Sequence, residues 1–157
     1  MNKIIAIDPS GTGTTGICLI NDQNIEFKEF KDIRWKKHYE FIISLVKLYN
    51  PNLLLFENTN FISNRTSDSL NLIRLLGAIK CLTVNERSTD SFNKGLEVKS
   101  VNVLKVKETS KALFAGKIKI PGLEYLPGRG KGWMFNGNRV SIHQLEAFIV
   151  YWLWKGK

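Results

Sequence analysis

The sequence predicts an α/β fold: a mixed sheet of about five strands, a three-strand antiparallel meander plus parallel strands, flanked by helices. Three observations carry that expectation. Between Lys3 and Phe30, three short runs of apolar and β-branched residues are separated by turn-forming residues, the pattern of a meander. After Asp32, stretches of helical periodicity alternate with short strand-like runs, as they do when parallel strands are joined by crossover helices. At 157 residues, 43% of them hydrophobic, the chain can bury a core as one domain spanning residues 1–157.

Lys3-Ile4-Ile5-Ala6-Ile7-Asp8 is the first strand, and its unbroken apolar run points to burial on both faces. The turn from Pro9 to Gly16 is rich in Gly and Thr, and its glycines are expected to let the chain reverse tightly and keep the Asp8 carboxylate open. Gly16–Ile20 forms the second strand, Asn21-Asp22-Gln23-Asn24 the next turn, and Ile25–Phe30 the third strand. A helix over Asp32–Tyr49 carries Trp35, Tyr39, Ile42, Ile43, Val46 and Tyr49 on one stripe, and Asn50-Pro51 ends it. Leu53-Leu54-Leu55-Phe56 is a further buried strand, closed by Glu57. Thr66-Ser67-Asp68 caps a helix bearing Leu70, Ile73, Leu76 and Leu82 that runs to about Val84. A polar loop around Ser88–Gly95 leads to a short strand, Glu97–Val101, and then to a short basic helix, Val103–Phe114. The Gly- and Pro-rich stretch Gly116–Arg139 is expected to be irregular. Ser141-Ile142-His143-Gln144 has the form of a capping box and opens a last helix, with Leu145, Phe148, Ile149 and Trp152 on its apolar face.

Composition narrows the partners. Lys and Arg outnumber Asp and Glu by 23 to 14, a formal charge of +9, which favours a polyanion. Cys18 and Cys81 both lie in apolar runs and are expected to be buried thiols of a reducing compartment. The N-terminus enters a strand directly, without the pattern of a signal peptide, and the longest apolar stretch, Leu145–Trp154, is too short to cross a bilayer. A cytoplasmic protein with no membrane partner is expected. There is no G-x-S-x-G elbow and no Walker loop.

Acids close two of the strands. Neighbouring strands that end in Asp8 and Glu57 bring two carboxylates together, and such a pair normally holds a divalent cation. On the last helix His143 and Glu146 stand three residues apart, on one face aimed at the strand ends.

In three blocks the sequence resembles the RuvC-type Holliday junction resolvases of the ribonuclease H-like superfamily. These are Ile4-Ile5-Ala6-Ile7-Asp8-Pro9, Leu54-Leu55-Phe56-Glu57 and His143-Gln144-Leu145-Glu146-Ala147. The resemblance implies a ribonuclease H-like sheet and four metal-binding positions, Asp8, Glu57, His143 and Glu146. The family's last pair is often Asp/Asp, so His143 and Glu146 depart from it. Hard carboxylate donors point to Mg²⁺, two ions with Mn²⁺ as the expected substitute, Asp8 bridging both and Glu57 and Glu146 completing one each. His143 serves either as a metal ligand or as the general base for water.

The implied activity is structure-selective cleavage of branched DNA, chiefly four-way junctions, leaving 5′-phosphates. By the same resemblance Phe61 wedges into the unstacked junction centre. Arg65 is expected to neutralise a phosphate beside it. Lys99, Lys105, Lys107 and Lys111 cluster as phosphate contacts. Arg129, Lys131 and Arg139, interleaved with Trp133 and Phe135, suit a clamp over DNA. A two-fold symmetric junction calls for a homodimer, with the helix from Ser67 to about Val84 as the candidate seam. The alternatives are a non-catalytic branched-DNA-binding module and a broader fork or flap nuclease. The Asp8-Pro9-Ser10-Gly11-Thr12 turn also looks like the first phosphate loop of actin-like ATPases, whose two lobes need a longer chain.

Overall fold

An apolar strand buried on both faces organises the protein. β1 (Lys3–Asp8) is central; β2 (Thr14–Asn21) and β3 (Asn24–Lys31) extend the sheet on one side, β4 (Leu53–Asn58) and β5 (Glu97–Asn102) on the other. The computed structural model describes residues 2–22, 24–59, 66–83, 95–128 and 130–156. β1, β2 and β3 form the expected antiparallel meander, and β4 and β5 run parallel to β1.

Side chains alternate between two cores, as a pleated sheet requires. Ile5, Ile7, Ile17, Leu19, Leu54 and Phe56 face α1 (Trp35–Tyr49) and α2 (Ser67–Lys80). Ile4, Ala6, Cys18, Ile20, Leu53 and Leu55 face α3 (Val103–Phe114) and α4 (Ile142–Lys155). Leu145 and Ile149 of α4 are wholly buried against this second face. Burying a side chain of that size contributes about 1.5–3 kcal/mol, so α4 is firmly seated where its first turn meets the ends of β1 and β4.

Five expectations need correction. α1 begins at Trp35, three residues later than Asp32. Asp32 instead forms a turn: its carboxylate takes two bonds from the Arg34 guanidinium, both 2.9 Å, and one from the Arg34 backbone N–H. His38, absent from the expected stripe, is fully buried on α1. Its Nε2–H donates to the Asp32 carbonyl and its Nδ1 accepts from the Thr15 hydroxyl, each at 2.8 Å, which ties the helix to the start of β2 and to the turn after β3.

On α2 the buried apolar residues are Leu75, Leu76 and Ile79, while Leu70 and Ile73 are exposed. The helix stops at Lys80 and a 3₁₀ turn, Cys81–Thr83, follows; Cys81 is exposed rather than buried. Finally, the stretch expected to be irregular contains a second, three-stranded sheet. It is formed by β6 (Leu123–Leu126), β7 (Gly132–Phe135) and β8 (Asn138–Val140). β7 and β8 are joined by Asn136-Gly137, both at positive φ (48° and 80°), the two-residue hairpin for which that dipeptide is suited. These strands are three or four residues long, too short to show a period of two. Trp133, Phe135 and Val140 pack into the α4-side core.

Candidate metal centre

The parallel register that pairs Ile7 with Phe56 sets Asp8 and Glu57 side by side at the ends of adjacent strands. α4 then lays its first turn across them. Its cap is a full capping box: the Ser141 hydroxyl accepts from the Gln144 N–H, and the Gln144 side chain accepts from the Ser141 N–H. The Ser141 hydroxyl also donates to the Glu29 carboxylate of β3, which fastens the helix start to the sheet.

Gly16 makes this approach possible. It pairs with Asp8 across β1 and β2, and a Cβ placed on it would lie 2.0 Å from the His143 carbonyl oxygen. Gly11 does the same for α2, where a Cβ would lie 2.4 Å from the Leu72 nitrogen. Neither glycine has a positive φ. The expectation that these glycines serve chain reversal is therefore corrected: they are there to let two helix backbones come close.

Asp8, His143 and Glu146 converge, with donor atoms within 4.8 Å of one another. His143 Nδ1 is 2.9 Å from Asp8 Oδ2. Burial pushes the Asp8 carboxyl up, against the lowering effects of the His143 hydrogen bond and charge and of Lys107. Glu57 is pushed up to about 8 by burial first, then by the negative charges of Asp8 and Glu146. Glu146 is raised by burial and by Asp8. The His143 imidazole is raised chiefly by its hydrogen bond to Asp8, with Asp8, Glu146 and Glu29 adding negative charge around it. Acids that hold protons this strongly are short of positive charge.

A divalent cation fits that shortage. Glu57 Oε2 is a buried acceptor with no hydrogen-bond partner among the described residues. Two carboxylates and an imidazole, from Asp8, Glu146 and His143, form a donor set suited to a hard cation that keeps some water, while Glu57, on the neighbouring strand end, stands outside that group of three.

Lys107 of α3 is exposed, and its charge acts on Asp8, Glu57 and Glu146 alike. It was anticipated only as a phosphate contact. Its position follows from the fold, because β5 runs straight into α3 beside Glu57. Glu29 was missed altogether; it looks like one more surface acid on an amphipathic strand.

Lys105 and Lys111 are exposed on α3, whereas Lys99 is ion-paired with Glu97 at 2.8 Å. Lys131 is exposed, and its carbonyl accepts from the Arg139 guanidinium at 2.9 Å. Phe61, Arg65 and Arg129 lie outside the described residues. No helix among the described residues is long and apolar enough to cross a membrane.

Among solved structures, Thermus thermophilus RuvC in complex with a Holliday junction substrate superposes with a TM-score of 0.60 at 15% identity, covering 96% of this chain and 90% of that one. A second structure of Thermus thermophilus RuvC gives 0.56 at 15% identity, over 98% of this chain and 96% of that one. The fold is the RuvC-type, ribonuclease H-like fold. The yeast mitochondrial Holliday junction resolvase Ydc2 is also similar, with a TM-score of 0.52 at 14% identity over 95% of this chain and 75% of that one. No family model matches the sequence, and no curated protein matches it.

Proposed function

We propose that this protein is a divalent-metal-dependent endonuclease that resolves four-way DNA junctions, working as a homodimer in the cytoplasm. The observation that carries this reading is the convergence of Asp8, His143 and Glu146, beside a Glu57 whose buried Oε2 has no hydrogen-bond partner among the described residues, on a fold like that of RuvC. Asp8, Glu57, Glu146 and His143 would hold Mg²⁺, with Mn²⁺ as substitute. When bound, a pair of such ions neutralises charge developing on the phosphate and makes water a better nucleophile.

The chain's own groups account for the rest. The Asp8 contact to Nδ1 fixes the His143 ring and leaves Nε2 as the nitrogen able to take a proton from water or to bind metal. Lys107 offsets negative charge at the three acids and offers an exposed cation to the entering phosphate. Water adds to phosphorus as the 3′-oxygen leaves, giving a 5′-phosphate and a 3′-hydroxyl. Lys105 and Lys111 extend the positive surface along α3 for the backbone of an arm. Phe61 and Arg65 remain the candidate wedge and phosphate contact, and Arg129, Lys131 and Arg139 a candidate clamp. Paired cuts on a two-fold symmetric junction need two sites, and exposed Leu70 and Ile73 on α2 offer a surface for the partner.

The test is cleavage of a labelled synthetic four-way junction in Mg²⁺ and in EDTA, beside a linear duplex and an Asp8→Asn control. Paired nicks that require metal and the junction support a resolvase. Equal cutting of forks and flaps makes it a broader branched-DNA nuclease. Tight junction binding with no cuts in Mg²⁺ or Mn²⁺ refutes the nuclease in favour of a binding module.

A further inference from the structure

Phe114 closes α3, and its ring meets Tyr125 of β6 and Trp133 of β7 edge to face. The three centroids lie 5.3–6.2 Å apart, with interplanar angles of 61–82°. Phe114 is 55% exposed and Tyr125 43%, whereas Trp133 is buried. Rings packed this way hold one another rigid while leaving ring faces open to solvent. Tyr125 and Trp133 line a cleft of about 540 Å³ between the end of α3 and the small sheet, together with Leu113, Ile118, Lys119 and Glu124. Trp133 Nε1, a buried donor, has no hydrogen-bond partner among the described residues.

The surrounding charge says what fits. Among the described residues from 111 to 140, Lys111, Lys117, Lys119, Lys131 and Arg139 stand against the single acid Glu124. An open aromatic surface inside a basic field is the combination that binds unpaired nucleic acid, since every base has a face to stack and every linkage a charge. Lys107, Lys111 and Phe114 stand at i, i+4 and i+7, so one stripe of α3 joins the acid cluster to the aromatic rings. Seven residues of helix span roughly 10 Å, about three steps of a stacked strand at ~3.4 Å each.

We infer that the exposed rings of Phe114 and Tyr125, beside the cleft that Tyr125 and Trp133 line, form a second DNA-contact site that takes an unpaired nucleobase about three nucleotides from the cut. This rests on the nuclease reading above. The base stacks on the open rings, and Glu124 accepts from an exocyclic amine. Lys111 and Lys119 hold the flanking phosphates. Such a site would retain a strand whose pairing is disturbed near the junction centre.

The test uses the full chain carrying Asp8→Asn, so that DNA is bound without being cut. The probe is an oligothymidylate of about twelve nucleotides with one central 2-aminopurine, within the site sizes common for single strands. Wild-type aromatic residues should quench the probe on binding. Phe114→Ala with Tyr125→Ala should weaken binding by roughly fivefold or more and abolish most of the quench. Phe114→Leu keeps apolar bulk without a ring and should behave like Phe114→Ala, whereas Phe114→Trp should restore quenching. Unchanged affinity and quench in the double variant, or a Leu variant equal to wild type, overturns the inference. A double variant that keeps the oligonucleotide but loses self-association overturns it too, and marks the cleft as a protein interface. Junction cutting by the protein with Asp8 intact, measured in parallel, reports on the nuclease reading separately.

Discussion

Gly16→Ala is the smallest change that sets the fold against the site. The added Cβ would sit 2.0 Å from the His143 carbonyl oxygen, 2.2 Å from its carbon and 2.8 Å from the Gln144 nitrogen. All three are backbone atoms, so no side chain can turn aside. Reaching an ordinary contact of 3.4 Å requires a shift of 3.4 − 2.0 = 1.4 Å between β2 and the first turn of α4. Forcing extra bulk into a packed region costs about 1–3 kcal/mol. The displaced residue is the one bonded to Asp8 at 2.9 Å, and a contact of that length does not survive such a shift intact. Misplacing a reacting group by about 1 Å can cost roughly 100-fold in rate. Urea unfolding should therefore show a stability loss of about 1–3 kcal/mol. Under conditions where the variant stays folded, single-turnover junction cleavage should fall by roughly two orders of magnitude. A variant as stable and as active as wild type would refute the view that Gly16 exists for this close approach.

Three further outcomes are expected. Without metal, folded Glu57 keeps its proton up to a pH of about 8, whereas the unfolded chain releases it near 4.5. The folded state thus binds the extra proton in that window, so stability in EDTA should decline as pH rises through it and then level off. Glu57→Gln should reduce the slope, and Mg²⁺ should raise the melting temperature more at high pH than at low; an unaltered slope in the Gln variant counts against this. Lys107→Met removes a charge that lowers Asp8, Glu57 and Glu146. Cleavage should fall roughly 100-fold and the acid limb of its pH–rate profile should move to higher pH; a limb that stays in place would make Lys107 a phosphate contact alone. Of the two thiols, exposed Cys81 should react with a thiol reagent in the native protein. Cys18, whose thiol burial pushes far up, should react only on unfolding, and two fast thiols would contradict the packing of β2.

Most elements were legible because their signals are local. The apolar runs of β1 and β4, the cap at Ser141 and the stop at Asn50-Pro51 depend on neighbours in the chain. The same locality explains the failures. Thr15 and His38 are both polar, and only their meeting across 23 residues makes His38 a core residue. Leu70 and Ile73 share a helix with Leu75 and Ile79, but which side faces the sheet is set by where α2 docks. The Asn136-Gly137 hairpin lies in a stretch expected to be irregular, because strands of three and four residues gave that turn no flanking pattern.

By itself the sequence determined which residue types stand at the strand ends and on the first turn of the last helix, since residue identity and periodicity fix both. Tertiary structure alone decided the electrostatics of the site. Whether Asp8, Glu57 and Glu146 hold their protons depends on their mutual distance and on how much water the folded chain removes. The same folding brings Lys107 to all three acids and Glu29 beside Ser141 and His143. Charge–charge energies vary with separation and local dielectric, and neither quantity is written in the order of residues along a chain.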